Sequence, residues 1–185
     1  MTTITTKTLT LEEFLGLPET QPASEFIGGE ILQKPMPQGE HSRLQSKLTS
    51  TINEIAEPTQ IAYAFPELRC VFGGEAIVPD IAVFRWNRIP RTESGRIANR
   101  FELNPDWAIE ILSPGQSLTK TLEKLLFCSQ EGGELGWLIA PADEAIAIVT
   151  PVRQVIIVRG DRSVTVLEGI ELSLTANDVF DWLKI

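Results

Sequence analysis

The sequence predicts a mixed α/β architecture, a central mixed β-sheet with helices on its faces, and three observations carry that prediction. Leu44, Leu48, Ile52 and Ile55 recur at helical spacing, and Leu118, Leu122, Leu125 and Leu126 share one face of a second periodic stretch. Between and after these helices lie runs rich in β-branched and apolar residues, 61–72, 76–84, 107–112 and 136–140. Gly and Pro punctuate nearly every junction. The resulting order, αβαβββαβββα, describes one domain over residues 1–185 with a core from about 11 to 181.

Taken in order, Thr10 with Glu13 three residues on forms a capping box, so a short helix starts there and stops at Pro18. Residues 25–32 read as two short strands around Gly28-Gly29, or one bent strand. Pro35 and Pro37 break the chain before the helix of Leu44 to Ile55. A strand region over 61–72 reverses at Gly73-Gly74 and returns over 76–84. An arginine-rich insert follows, then the strand of Trp107 to Leu112, stopped by Ser113-Pro114-Gly115. The second long helix spans 116–131 and is closed by Gly132-Gly133. Beyond the buried strand 136–140, three short strands are expected at 145–150, 154–159 and 163–167, then a last helix at 173–180.

With 185 residues, 43% hydrophobic and 22% charged, the chain has the composition of a soluble globular domain. No stretch approaches the roughly 18 apolar residues of a membrane span, and the Thr-rich start, Met1 to Thr6, lacks the apolar centre of a leader, so a cytoplasmic protein with no membrane partner is expected. Cys70 and Cys128 match no metal spacing and read as buried free thiols. A net charge of -9 opposes non-specific binding to nucleic acid, so any such contact must be local. Arg85, Arg88, Arg91, Arg96 and Arg100 are one candidate patch; arginines that offset nearby acids are the equal alternative.

The chemistry concentrates between Pro79 and Lys124. Asp80 lies inside one apolar run and Glu110 inside another, and a lone buried carboxylate costs several kcal/mol. Two such acids in consecutive strands suggest a shared cation. Mg²⁺, or Mn²⁺ in its place, suits one or two carboxylates completed by water and a substrate phosphate. The following helix carries Lys120 and Lys124 on a polar face; Phe127, one turn from Lys124, suggests that this face is covered as well.

Taken together, Glu25 with Gly29-Glu30, His41 at a helix start, Val78-Pro79-Asp80, Ile109 to Pro114, Glu123-Lys124 and Trp137 to Ile139 before a proline closely resemble the Uma-type family, a large bacterial family of restriction endonuclease-like proteins. The resemblance covers about Leu11 to Asp181 and implies the PD-(D/E)xK nuclease fold, with Asp80 and Glu110 as metal-binding acids. The parent pattern places a lysine two residues after the second acid, where this chain has Leu112. In such relatives the lysine has moved to the next helix, which implicates Lys124, with Lys120 as second choice. Glu25 is then a candidate third carboxylate or a solvated acid, and His41, the single histidine, a candidate neighbour of the metal or a helix-start residue.

The expected activity is Mg²⁺- or Mn²⁺-dependent hydrolysis of phosphodiesters in nucleic acid, most readily DNA. Asp80, Glu110 and the Ile111 carbonyl would hold the metal. A homodimer is expected, from the apolar late strands and from the need to cut two strands of a duplex. The rival reading is a catalytically silent module of the same fold that binds a protein or nucleic acid, in a mobile element or a defence system. Leu112 and the acidic composition favour it.

Overall fold

The computed structural model describes residues 9–185; the Thr-rich start lies outside them. Helix α1 (Leu11–Leu15) begins as its capping box dictates, with the Glu13 N–H donating to Thr10 Oγ1 at 3.2 Å and the Thr10 N–H to Glu13 Oε2 at 2.9 Å. Strands β1 (Ser24–Ile27) and β2 (Glu30–Gln33) form a tight hairpin, because Gly28 and Gly29 both take positive φ, 60° and 82°, as a two-residue turn of this hand requires. Helix α2 (Gly39–Ala56) buries Leu44, Leu48 and Ile52, the stripe its spacing predicts.

The two long strands expected at 61–72 and 76–84 are each broken in the middle. The first divides into β3 (Ala62–Pro66) and β4 (Cys70–Phe72), the second into β5 (Glu75–Ile77) and β6 (Ile81–Arg85). The halves belong to different sheets. Strands β2, β1, β5 and β4 form a small antiparallel sheet, while β3 and β6 join a six-stranded one. The breaks have local causes: Glu67 sits at φ 50°, and Pro79 has no N–H to continue a ladder. Asp80 therefore lies where the chain passes from one sheet to the other, not within a strand.

Strand β7 (Trp107–Ile111) pairs antiparallel with β6 and parallel with β8 (Leu135–Ala140), and helix α3 (Leu118–Gln130) is the crossover between the parallel pair. Strands β9 (Ala145–Val149) and β10 (Val155–Val158) complete the order β10-β9-β8-β7-β6-β3. The stretch 163–167 makes one bridge, Ser163 to Thr175, and no strand; Thr175 then caps α4 (Ala176–Asp181).

Strand alternation sorts the core into two layers. Ile81, Val83, Trp107, Ile109, Ile111, Trp137 and Ile139 face α2 and α4. Ala82, Phe84, Ala108 and Leu138 face Leu125 and Cys128 of α3. Glu110 is in phase with Ala108, so it points toward α3. That helix is rotated from the expected orientation: Thr121, Lys124, Leu125 and Cys128 are buried, while Leu118 is exposed. Phe127 stacks on Phe72 at 5.2 Å, which covers the side that carries Lys124. Among the described residues no helix is long and apolar enough to cross a membrane.

Candidate active site

The register that pairs Ile81 with Ile109 brings Asp80, one residue before β6, alongside the end of β7. There Asp80 Oδ2 accepts the Ile111 N–H at 2.7 Å and lies 3.1 Å from His41 Nε2. Asp80 Oδ1 is 2.6 Å from Lys34 Nζ. The aspartate backbone is held too, since its carbonyl accepts the Gln45 side-chain amide at 2.8 Å and the Glu67 N–H at 3.2 Å. His41 belongs to the first turn of α2, so it is both a helix-start residue and a neighbour of the acid.

Glu110 is buried with every residue of β7, which removes the alternative of a solvent-facing strand. Its carboxylate lies 2.7 Å from Lys124 Nζ, and the same ammonium donates to Glu25 Oε1 at 2.8 Å. Glu25 Oε1 also accepts the Val78 N–H at 2.7 Å, which ties the small sheet to the site and removes the reading of Glu25 as a solvated acid. Glu25, His41, Asp80, Glu110, the Ile111 backbone and Lys124 are thus brought to one place. Lys120 stays exposed on the rim.

Lys34 was not singled out from the sequence. It follows β2 between a polar residue and Pro35, where a lysine has the look of an ordinary turn residue. The one available signal was charge balance, because several acids in apolar surroundings call for more than one cation.

The electrostatics separate the two central acids. Burial pushes the Asp80 carboxyl up, but the His41 hydrogen bond and the Lys34 ammonium outweigh it and hold the group well below the usual carboxylate range. Burial dominates at Glu110; Lys124 offsets only part of it, Asp80 adds to it, and the carboxyl is pushed up to about 8. Burial would lower both lysines, yet Asp80 and Glu110 raise Lys34, and Glu110 and Glu25 raise Lys124, so both stay charged.

Two clefts reach the site. The larger, about 490 Å³, exposes Lys34, His41, Asp80 and Glu67; the smaller, about 220 Å³, exposes Glu25, Glu110, Lys120 and Lys124. Lys34, Pro35 and Gln116 form the wall common to both. Among the described residues, no three His, Cys, Asp or Glu side chains converge into a metal cage of their own. Asp80 and Glu110, buried acids that open on the clefts, are donors of the type that fits a hard divalent cation such as Mg²⁺ or Mn²⁺.

The arginine insert is committed elsewhere. Arg85 pairs with Glu134 at 2.6 Å, Arg88 with Asp106, and Arg91 lies over Trp86. Arg96 and Arg100 remain exposed. Both cysteines are buried free thiols, raised by burial, Cys70 to about 12, which makes neither a nucleophile.

A family model described as "Uma2: Putative restriction endonuclease" matches residues 11–177. Among solved structures, the chain is similar to a crystal structure described as a putative nuclease belonging to DUF820 from Anabaena variabilis ATCC 29413, at 51% identity and a TM-score of 0.93, over 95% of this chain and 99% of that one. No curated protein matches.

Proposed function

The chain belongs to the Uma2 family, and from that premise we propose that it is a Mg²⁺- or Mn²⁺-dependent nuclease that hydrolyses phosphodiester bonds, most readily of DNA. The observation that carries the reading is the pair Asp80 and Glu110, buried on adjacent chain segments at the floor of two clefts, with a lysine against each. Asp80, Glu110 and the Ile111 carbonyl would hold the metal, which when bound supplies an activated water and a Lewis acid for the phosphate. The Ile111 N–H and His41 fix the Asp80 carboxylate in orientation. Glu25 and Glu110 hold Lys124 Nζ between them, so its charge stands ready beside a phosphate that gains negative charge during hydrolysis. The lysine missing at position 112 is thereby replaced from α3.

Purified protein with Mn²⁺ or Mg²⁺ should cut at least one of duplex DNA, single-stranded DNA and RNA. Asp80→Ala should be inactive. Lys124→Ala should be slower by about a hundredfold or more, the scale of one lost electrostatic stabiliser, and Lys120→Ala should matter less. Absence of cleavage under every condition, with a partner still captured independently of Asp80, would give the site to the binding-module reading. The homodimer would use β10, an outer strand with Val155 and Ile157 exposed. Sedimentation that shows only monomer at micromolar concentration removes it.

A further inference from the structure

Lys34 makes the shortest contact to Asp80, and it does so in the manner of a bound cation. Its ammonium is surrounded by Asp80 Oδ1 at 2.6 Å, the Val78 carbonyl at 2.9 Å, and Glu67 Oε1 and Oε2 at 3.1 and 3.2 Å. Two carboxylates and a backbone carbonyl are also the donor types of a hard divalent ion. The other Asp80 oxygen is already committed to the Ile111 N–H and His41. Oδ1 is therefore the oxygen left for a metal, and Lys34 sits on it.

We propose that Lys34 is a tethered counter-ion that holds the cation position at Asp80 and must give up Oδ1 before a divalent ion binds there. The inference rests on the metal-dependent reading above. An ammonium at hydrogen-bond distance and a Mg²⁺ at roughly 2.0 to 2.1 Å cannot share one oxygen without strong repulsion. The lysine side chain is only 9% exposed, so its charge needs a partner at all times. Glu67 and the Val78 carbonyl provide one, because they can keep the ammonium after Asp80 is released. The main chain need not move: the Lys34 N–H is fixed to the Ala23 carbonyl at 2.9 Å, and Pro35 follows. Once displaced, the ammonium stays in the wall between the two clefts, where an anionic phosphate would meet it.

Titration calorimetry with MnCl₂ on metal-stripped protein tests the competition directly. Lys34→Met should bind Mn²⁺ about tenfold more tightly than wild type or better, within the range of typical couplings between two linked equilibria. Lys34→Gln, which keeps a donor for Val78 and Glu67 and so protects against a folding failure of Lys34→Met, should show the same gain. Lys34→Arg keeps the charge and should remain near wild type, and Asp80→Asn should lose the site. Equal affinity in wild type, Lys34→Met and Lys34→Gln would overturn the competition while leaving the metal reading intact, as would weaker binding in both variants. No Mn²⁺ binding by any variant would overturn both.

Discussion

The pair of strands β6 and β7 ends twice in the same motif, and only one end gathers the residues of the candidate site. At one end Asp80, just before β6, accepts the N–H of Ile111, the last residue of β7, at 2.7 Å. At the other end Asp106, just before β7, accepts the N–H of Arg85, the last residue of β6, also at 2.7 Å. Both aspartates are 2% exposed. What differs is the company. Around Asp106 the charges balance, with Asp106 and Glu134 against Arg85 and Arg88, and Arg88 also donates to the Asn104 carbonyl and side chain. Around Asp80 four acids, Glu25, Glu67, Asp80 and Glu110, face two lysines, and two clefts lead in. The buried aspartate at a strand junction is thus a structural device of antiparallel pairing. An excess of acid beside open space is what marks one copy of it as the candidate for chemistry.

The largest effect expected from this contrast is on stability at the Asp106 end. Asp106→Ala leaves Arg88 without its carboxylate and the Arg85 N–H without an acceptor; because Arg88 keeps contact with water, the cost is at the lower end of that for a buried pair, about 3 kcal/mol. Urea unfolding should register that loss, while cleavage per folded molecule should stay at the wild-type level. A fall in turnover equal to that of Asp80→Ala would erase the distinction between the two ends.

The next effect belongs to the Asp80 end alone. A cation bound only by the folded state stabilises it by mass action, about 2.7 kcal/mol at a hundredfold excess over its dissociation constant. Mn²⁺ or Mg²⁺ should therefore raise the melting temperature of wild type and of Asp106→Ala alike. The double change Asp80→Asn with Glu110→Gln should abolish the rise. A rise of equal size in that double variant would place the metal elsewhere.

How much of this could be read in advance follows from the same residues. Asp80 and Glu110 stood out because each interrupts an apolar run, and a charge in such surroundings carries its own explanation with it. Lys34 did not, since its setting of Gln33, Pro35 and Pro37 is what a surface turn looks like, and the acids that need it are 33 and 46 residues away. The two helices and the β7-α3-β8 crossover were legible from periodicity and from Ser113-Pro114-Gly115. The passage of the chain between sheets was not. An alternating apolar run looks the same whether it pairs with one sheet or with two, and only Pro66 and Pro79 marked the breaks.

The smallest effect per step, and the one that reads the acid excess most directly, is the pH dependence of the metal-free protein. Glu110 is pushed from its ordinary 4.5 up to about 8, by burial first and by Asp80 in addition. Between those values the folded protein keeps a proton on Glu110 that the unfolded chain has released. The contribution of Glu110 to stability is therefore complete below about pH 4.5 and is lost as pH rises through about 8. The other shifted groups of the site stay out of this window: Asp80 is depressed, so its contribution is lost only as pH falls below the ordinary carboxylate range, and both lysines are raised, so theirs is lost only above 10.5. At the opposite end of the strand pair the sign reverses. Glu134 is lowered, chiefly by its hydrogen bonds to Arg85, so what it contributes is present above 4.5 and lost as pH falls. Urea unfolding in EDTA at about pH 5.5, 6.5 and 7.5 should give wild type a declining stability and Glu110→Gln, a mimic of the protonated acid, a flatter profile, with wild type falling relative to the variant toward high pH. Glu134→Gln should leave the decline in place. Parallel curves for wild type and Glu110→Gln would mean that Lys124 keeps Glu110 ionised throughout, and the acid end would then be as well balanced as the arginine end.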